Sequence, residues 1–398
     1  MRNQSILILG AMLFLSGCTS VPPERRVEVV THWVEPTRLG ERWELRPQER
    51  TKPVVVGEII YFANLSGEVS AMHRTEGYLL WKKRLPAGVE GALTYARSKI
   101  FVGDIQGNLY ALNARDGSQS WHFKIKSEWL SPPAVLRDRV FVATSHDELY
   151  ALNENTGKEI WHYSHRGDEK MTVRGTSGPV VYGSEVFQGF ADGYLVGLSA
   201  EKGTVLWERR LRQKERFYDV DMVPYADEKS VVAATFDGRL FSLDRLTGET
   251  KWMFPAGSYG GFLVDGEKIY FAALNGNAYA LKRDSGEVVW KTSMERGVGL
   301  TPVKVGEYLA ITTSSDPVYL LKPSSGEVEW SGNLGAGTLA APASDGSSWF
   351  YCMSNYGVLY SFEIQPGWRK KPVPGTLPTP SALHRNVVEP REPYRKPT

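Results

Sequence analysis

Residues 135–161 read VLRDRVFVATSHDELYALNENTGKEIW, and this stretch decides the fold. Residues 140–143 are β-branched, aromatic and apolar, as in a buried strand, and residues 149–152 have the same character. A short turn separates the two runs. The polar loop that follows ends in Gly157, which adopts positive φ at no steric cost. The stretch therefore predicts two buried strands and the beginning of a third, outer strand that contains Trp161.

The same pattern recurs along the chain. A glycine is followed four residues later by a tryptophan, and a small or apolar residue lies six positions before the glycine. The complete copies end at Trp81, Trp121, Trp161, Trp207, Trp252, Trp290 and Trp330, which are 40, 40, 46, 45, 38 and 40 residues apart. An eighth copy keeps Ser361 and Gly367 but has Lys371 in place of the tryptophan. A period near 40 with strand patterns in each unit is typical of a β-propeller.

The repeats predict an all-β fold, an eight-bladed β-propeller with four-stranded antiparallel blades. We expect the tryptophans to fill the gaps between neighbouring blades; a cage for a ligand is the alternative. The last blade contains too few strands, and an open edge would promote aggregation. Residues 42–45, Arg-Trp-Glu-Leu, have the outer-strand pattern. They are predicted to close the ring as an N-terminal strand of the last blade.

The two ends of the chain predict segments outside the propeller. Residues 1–17 have a basic start and an apolar core and are followed by Cys18, as in a lipoprotein signal peptide, with Cys18 as the acylated residue. The alternative is a chance cysteine beside an ordinary signal. Residues 18–38 predict a lipidated tether, 39–365 the propeller, and 366–398 a Pro-rich, basic, disordered tail. The one other cysteine, Cys352, lies in an apolar run and is expected to be a buried thiol without a disulfide.

The charge distribution argues against binding to nucleic acid. The whole chain has a net charge of +2, and the tail from residue 366 contributes +5 of it. Without this tail and without Arg2 of the signal, the remaining chain has a net charge of −4. A nucleic-acid-binding propeller would carry a basic patch on its folded part.

The sequence contains few candidates for catalysis. His162 and His165 are spaced so that both could bind a metal, but cysteine and carboxylate ligands at useful spacing are missing. Motifs for a serine nucleophile, a phosphate loop or a zinc protease are also missing. We therefore predict a protein that is not an enzyme and that has no catalytic residue, metal site or cofactor.

The repeat resembles that of the enzymes that bind pyrroloquinoline quinone, which are also eight-bladed propellers. Those dehydrogenases have a Ca²⁺ site, a catalytic aspartate and commonly a pair of adjacent cysteines, and the resemblance would imply the same features here. This chain has no adjacent cysteines, and its repeats are short. Because a fold alone does not carry an activity, the dehydrogenase is retained as the alternative function.

An exported, lipid-anchored, eight-bladed propeller with this repeat resembles the BamB family, the lipoprotein subunits of the β-barrel assembly machinery. Two stretches strengthen the resemblance: residues 171–179, MTVRGTSGP, and residues 216–224, RFYDVDMVP. In the first, Met171 and Val173 occupy positions of alternating leucines and Arg174 matches directly. In the second, Asp219 and Asp221 match an Asp-Val-Asp motif.

In that family these two stretches are loops that bind the periplasmic POTRA domains of BamA. The resemblance therefore implies that Met171, Val173, Arg174, Asp219 and Asp221 contact this partner. Alternate apolar residues beside an arginine fit an exposed interface, and a few such anchors usually dominate binding. The alternative is that Asp219 and Asp221 cap a turn and that Arg174 forms an internal ion pair.

The resemblance implies a non-enzymatic scaffold of the outer-membrane β-barrel assembly complex, located at the periplasmic face of the outer membrane. Its implied partners are BamA and the other subunits of the complex, unfolded outer-membrane proteins, and the membrane through the lipid. A lipoprotein propeller that binds the cell wall or a different complex is a further alternative.

Overall fold

The structure is a computed structural model that describes residues 25–37, 48–165, 177–211, 220, 222–235, 238–294, 297–315 and 317–368. Within these residues the strands are β1 (Arg25–Pro36), β2 (Val54–Val56), β3 (Ile59–Ala63), β4 (Glu68–His73), β5 (Leu79–Arg84), β6 (Thr94–Ala96), β7 (Lys99–Gly103), β8 (Asn108–Asn113), β9 (Gln119–Lys124), β10 (Ala134–Leu136), β11 (Arg139–Ala143), β12 (Glu148–Asn153), β13 (Glu159–Ser164), β14 (Val180–Tyr182), β15 (Glu185–Gly189), β16 (Tyr194–Ser199), β17 (Val205–Arg210), β18 (Tyr225–Ala226), β19 (Ser230–Thr235), β20 (Arg239–Asp244), β21 (Thr250–Phe254), β22 (Ser258–Asp265), β23 (Lys268–Ala273), β24 (Asn277–Lys282), β25 (Val288–Ser293), β26 (Val303–Val305), β27 (Tyr308–Ile311), β28 (Val318–Leu321), β29 (Val328–Gly332), β30 (Trp349–Met353) and β31 (Val358–Trp368).

These strands form eight antiparallel sheets in the described part of the chain. Seven sheets contain four consecutive strands each, from β2–β5, which we call blade 1, to β26–β29, which is blade 7. Blade 8 has the order β1-β31-β30, and its innermost strand is reduced to one bridge between Ala343 and Tyr351. The structure thus confirms the predicted all-β, eight-bladed propeller and its closure by an N-terminal strand.

The burial of each strand explains the sequence pattern. The second and third strands of a blade are buried on both faces, as in β3 and β4, so their sequences are almost continuously apolar. The outer strand β5 is mostly exposed and buries Trp81. It therefore carries one large apolar residue among polar ones.

In the part of the chain that the structure describes, the hydrophobic core is divided into eight clusters, each of which lies between two neighbouring blades. Tyr61 and Val69 of blade 1, for example, pack with Ile100 of blade 2. The last cluster joins Phe62 of blade 1 to Tyr351 of blade 8. The clusters therefore continue around the whole ring.

In the described residues, the repeated tryptophan and glycine meet across six of the blade boundaries, from blades 1 and 2 to blades 6 and 7. The indole of Trp81 in blade 1 donates a hydrogen bond to the Ala114 carbonyl of blade 2 over 2.9 Å. Its ring lies over Gly117, where an added Cβ would come within 2.6 Å of the ring. The same ring-on-glycine contact occurs for Trp121 on Gly157, Trp161 on Gly203, Trp207 on Gly248, Trp252 on Gly286 and Trp290 on Gly326. These contacts confirm that the tryptophans are packing residues.

The closing strand supplies the tryptophan that the eighth repeat lacks. Trp33 of β1 pairs with Ser361, with a register shift just before it, as Trp81 pairs with Ala71 in blade 1. Its indole donates to the Arg74 carbonyl over 2.9 Å and covers Gly77. Trp33 thus takes the role of the tryptophan that the eighth repeat lacks, since that repeat has Lys371 instead.

The prediction that residues 42–45 close the ring is wrong. The edge of blade 8 is occupied by Arg25–Pro36, which pairs with β31 along its whole length; residues 42–45 lie outside the described residues. The segment 25–36 pairs with β31 along its whole length and places the indole of Trp33 over Gly77, so the edge of β31 is already taken. Part of the predicted tether 18–38 is therefore strand, and β31 continues past residue 365 to Trp368.

Alternation of strand direction gives the ring two distinct faces. The hairpin face carries the turns between the first and second and between the third and fourth strands of each blade. The linker face carries the turns between the second and third strands and the linkers to the next blade. Hydrogen bonds join these two kinds of loop, such as Leu85 N to the Gly67 carbonyl at 2.7 Å.

Cys352 is fully buried, which confirms the predicted burial of this thiol. Burial raises the pKa of its thiol because the charged thiolate is poorly solvated there. Within the described ranges, the structure has no helix with the length and apolar character needed to span a bilayer.

Replacing Trp33 tests the closure of the ring. Trp33 is partly buried, so we expect Trp33→Ala to lower the free energy of unfolding by about 3 kcal/mol, the lower end of the cost of truncating a buried aromatic residue. Trp33→Phe should cost less because it keeps an aromatic ring over Gly77. Val34→Ala is the control, since Val34 is the next residue of the same strand and is 42% exposed. Denaturant unfolding measures the differences; equal effects of Trp33→Ala and Val34→Ala would contradict this role.

Two glycines with similar φ angles can be compared to separate two contributions to stability: the cost of a positive φ in a residue with a Cβ, and the cost of displacing the indole that lies on the glycine. Gly117 (φ +71) lies under Trp81, whereas Gly183 (φ +60) has open space where a Cβ would stand. Gly183→Ala should cost about 1 kcal/mol because of its positive φ. Gly117→Ala should cost a further ~1–3 kcal/mol, since the added methyl displaces the indole. Thermal or denaturant unfolding of both variants gives the comparison, and equal losses would exclude an essential ring-on-glycine contact.

Candidate functional site

The candidate site lies where two long linkers leave the linker face. The first joins β13 of blade 3 to β14 of blade 4, and the second joins β17 of blade 4 to β18 of blade 5. The predicted contact residues Met171, Val173, Arg174, Asp219 and Asp221 belong to these linkers and lie outside the described residues, as does Cys18. The site is therefore built from the described residues at the roots of the two linkers.

A hydrogen bond connects the roots of the two linkers. The Ser177 hydroxyl, at the end of the first linker, donates to the Met222 carbonyl, at the end of the second, over 2.9 Å. The amide of Gln188 in β15 donates to the Ser177 carbonyl over 3.0 Å. All three side chains are buried. Both linkers are thus attached to one point of blade 4.

The second linker is held from both sides of Asp221. Val220 N donates to the Phe190 carbonyl over 3.2 Å, and the Val220 side chain is 1% exposed. A Cβ on Gly189 would lie 2.3 Å from Val220, so this glycine gives the valine its space. Met222 follows Asp221 and is also buried. The two described neighbours of Asp221 are therefore fixed in place.

An exposed apolar residue adjoins these roots. Val223 is 39% exposed, and a Cβ on Gly178 would lie 3.0 Å from its Cγ2. Residues 178 and 223 are thus neighbours on the linker face. They add apolar surface beside the two linkers.

A buried ion pair holds the start of the first linker. His165 Nε2 lies 2.9 Å from Asp192 Oδ2, and both side chains are 8% exposed. The other ring nitrogen of His165 lies 3.1 Å from the Tyr163 hydroxyl, and the ring stacks on Phe190 with centroids 4.5 Å apart. Asp147 accepts a hydrogen bond from Ala191 N over 3.1 Å. This cluster attaches the end of blade 3 to a turn of blade 4.

The environment shifts the pKa values of two groups in this cluster. Burial by itself would lower the pKa of His165, but the hydrogen bond and negative charge of Asp192 outweigh burial and raise it above 6.5. Burial raises the pKa of the Asp147 carboxyl. The positive charge of His165 is therefore favoured in the folded protein.

Sequence reasoning missed this cluster, although the repeats contain a sign of it. At the position of His165 other blades have Leu85, Ile125 or Leu211. At the position of Asp147, where φ is +56, they have Gly67, Gly107 and Gly193. His165 and Asp147 are thus polar residues at two neighbouring repeat positions where other blades have apolar residues or glycine. This double exception to the repeat is the sequence signal that could have pointed to the cluster.

His162 and His165 do not share a ligand site. His162 lies 2.7 Å from Glu159 on the exposed outer strand, whereas His165 faces Asp192 in the interior. Across the described part of the chain, no three His, Cys, Asp or Glu side chains are grouped closely enough to hold a metal ion.

Comparison with known proteins shows the family that the chain resembles. The family model described as "Outer membrane protein assembly factor BamB" matches residues 65–292 and 274–370. The chain is 34% identical over 383 residues to the outer membrane protein assembly factor BamB of Legionella pneumophila, which covers 90% of this chain and 99% of the relative. It is 40% identical over 301 residues to the protein of the same name from Pseudomonas aeruginosa, covering 71% of this chain and 78% of the relative. These names designate an assembly factor and not an enzyme.

A solved structure shows the same fold. The structure of BamB from Moraxella catarrhalis has a TM-score of 0.72 to this chain at 22% identity and covers 84% of this chain and 100% of that one. At this identity the likeness concerns the fold alone.

The buried ion pair predicts a pH dependence of stability. The folded pKa of His165 is raised, so its contribution is complete below about pH 6.5 and is lost as the pH rises through the folded value. His165→Gln should therefore cost about 1–2 kcal/mol near pH 5.5 and less at pH 8.5. Denaturant unfolding at both pH values measures the gap. His122→Gln, on the exposed outer strand of blade 2, is the control; a His165→Gln gap that grows with pH would refute the assignment.

Proposed function

Because this chain belongs to the BamB family of outer membrane protein assembly factors, we propose that its linker face binds the periplasmic POTRA domains of BamA. In this proposal Met171, Val173 and Arg174 of the first linker and Asp219 and Asp221 of the second contact the partner. The observation that carries the proposal is the Ser177–Met222 hydrogen bond, since it ties the roots of both linkers to one point.

Anchored roots favour binding because they reduce the entropy lost on association. A loop whose ends are fixed by buried contacts loses less freedom when it meets a partner than a freely moving segment. Val220 and Met222 fix the second linker on either side of Asp221, and Ser177 fixes the end of the first. Residues held in place by the fold therefore lie next to the residues proposed to bind.

The chemistry of the proposed surface combines apolar and charged groups. Arg174 can form paired hydrogen bonds with a carboxylate, and Met171 and Val173 provide apolar area beside it. Among the described residues, Val223 at the root of the second linker is also apolar and exposed. Asp219 and Asp221 add acidic groups that would select a partner with a basic patch.

The propeller then acts as a rigid scaffold. Its blades are joined by continuous interblade cores, so a load on one face is transmitted without rearrangement of the ring. We propose that it assists the insertion of β-barrel proteins by holding BamA and the other subunits of the assembly complex in place. Contact with unfolded outer-membrane proteins in transit is part of this proposal.

The proposed location is the periplasmic face of the outer membrane. It rests on the signal-like residues 1–17 and on Cys18, whose acylation would anchor the chain stably. Thr19, rather than an aspartate, follows Cys18, which resembles lipoproteins of the outer membrane.

Capture of the POTRA domains by purified protein tests the binding residues. Arg174→Ala and Asp219→Ala should each weaken binding about five-fold or more, because anchors of this kind contribute more than ~1 kcal/mol. The matched controls are Lys158→Ala and Asp284→Ala, which remove an exposed charge of the same sign from turns on the hairpin face. Titration calorimetry gives the affinities, and unfolding curves verify the fold.

Retained affinity in both linker variants, with the fold intact, would reject the assignment of the site. Purification of the native lipoprotein from membranes without BamA would instead favour a cell-wall or other complex as the partner.

A further inference from the structure

One turn of blade 4 is bonded to both roots of the second linker. This is the 190–193 turn, which joins β15 to β16 on the linker face. Leu211 N, where the second linker begins, donates to the Gly193 carbonyl over 2.8 Å. Val220 N, near the end of that linker, donates to the Phe190 carbonyl over 3.2 Å. The side chains of Leu211 and Val220 are buried. The position of the 190–193 turn therefore sets the position of both roots.

Blade 3 contacts the same turn through the start of the first linker. His165 is the last described residue before that linker, and its Nε2 lies 2.9 Å from Asp192 Oδ2. Its ring stacks on Phe190 with centroids 4.5 Å apart. Ala191 N donates to the Asp147 carboxylate over 3.1 Å. Three consecutive residues of the turn thus contact His165 or Asp147, so an ion pair between two blades helps to hold the turn in place.

A small cavity adjoins the turn and reduces its packing. The cavity has a volume of about 10 Å³, and its lining includes Asp147, Phe190, Gln188 and the linker roots Ser177 and Val220. In the part of the chain that the structure describes, the side-chain oxygen of Gln188 has no hydrogen-bond partner. Atoms beside a void lose dispersion contacts on that side. The polar contacts of the turn therefore carry a larger share of the energy that holds it.

We propose that the charge of His165 controls how firmly the 190–193 turn holds the linker roots, and that the linker face binds its protein partner most tightly when His165 is protonated. This inference rests on the proposed binding of BamA through the two linkers. A protonated ring adds the attraction of opposite charges to its hydrogen bond with Asp192. Roots that are held firmly lose less entropy when the partner binds. His165 and Asp192 are thus positioning residues, because they act on the partner only through these roots.

The surroundings of His165 favour its protonated form. The charged or titratable groups around its ring, on its own strand and on the neighbouring turns and strands, are Tyr163, Asp147, Asp192, Tyr194, Glu208 and Arg210. Burial lowers the pKa of His165, but the carboxylates of Asp192, Asp147 and Glu208 outweigh burial and raise it above 6.5. The charge of the ring is therefore complete below about pH 6.5 and is lost as the pH rises through the folded value.

The equivalent contacts in other blades contain no titratable side chain. Leu85 N donates to the Gly67 carbonyl over 2.7 Å, and Ile125 N donates to the Gly107 carbonyl over 3.0 Å. Both residues occupy the position of His165 in their blades. Their amides are therefore internal references for a change that depends on the charge of one histidine.

Titration calorimetry with the POTRA domains of BamA tests the effect on binding. For the full-length protein in detergent micelles, we expect the dissociation constant to rise about five-fold from about pH 6.0 to about pH 8.5, at the lower end of typical coupling between two sites. In His165→Gln the constant should change by less than about two-fold and stay near the value of the unmodified protein at the higher pH. Measurements in two buffers of different ionisation enthalpy should show proton uptake on binding that the variant lacks.

Two further variants separate the charge from the shape of the site. Asp192→Asn keeps the size of the side chain and removes a charge that favours protonated His165, so the loss of affinity should occur at lower pH. His146→Gln is the matched control, because His146 is exposed on the turn that contains Asp147 and its Nδ1 lies 2.7 Å from the Ser127 hydroxyl. It should retain the pH dependence. An affinity that does not change with pH, or that falls equally in His165→Gln, would overturn the proposal.

Hydrogen exchange of the protein without its partner tests the turn independently of the proposed function. After correction for the chemical exchange rate, the Leu211 and Val220 amides should lose about five-fold more protection over the same pH range than the Leu85 amide, and His165→Gln should abolish this difference. Equal changes in all three amides would overturn the control of the turn by His165. If the POTRA domains bind at neither pH while the amides respond as expected, the proposed function fails and the control of the turn is retained.

Discussion

The ring depends on one repeated contact, in which the indole of an outer strand lies on a glycine in the hairpin turn of the next blade. The indole buries a large apolar area and places its N–H against a carbonyl of the neighbour, so that this donor stays paired, as for Trp81 and Ala114. Glycine is needed at this position for two reasons: its φ is positive, and a Cβ would collide with the ring. Since each contact joins only adjacent blades, a ring built in this way must form the same contact once more at its seam.

The seam meets this requirement with residues from opposite ends of the chain. Trp33 precedes every repeat, yet it occupies the register of the tryptophan that the eighth repeat lacks. The strand that closes the ring is also the strand nearest to the proposed lipid anchor. One short segment therefore completes the core between blades 8 and 1.

The proposed binding residues lie where the chain departs from the repeat. The Trp–Gly contacts recur with the same geometry from blade 1 to blade 7, so they carry no information about a partner. The two longest spacings, 46 and 45 residues, mark the linkers proposed to bind BamA. His165 and Asp147 replace an apolar residue and a glycine where the first linker begins, and the resulting buried cluster fastens blade 3 to blade 4. A polar substitution at a repeat position that faces the next blade is informative for this reason.

The sequence by itself determined the number of blades, the order of strands within them, the packing role of the tryptophans and the two linkers of interest. These features follow from local patterns: alternation of burial, glycine at positive φ and a fixed spacing to tryptophan. Only the tertiary structure decided that residues 25–36 rather than 42–45 close the ring, that Ser177 and Met222 join the two linker roots, and that His165 is paired with Asp192. The physical reason is that these contacts join residues far apart in the chain, as far as Thr37 and Gly357, where no spacing within one repeat indicates which segments will meet.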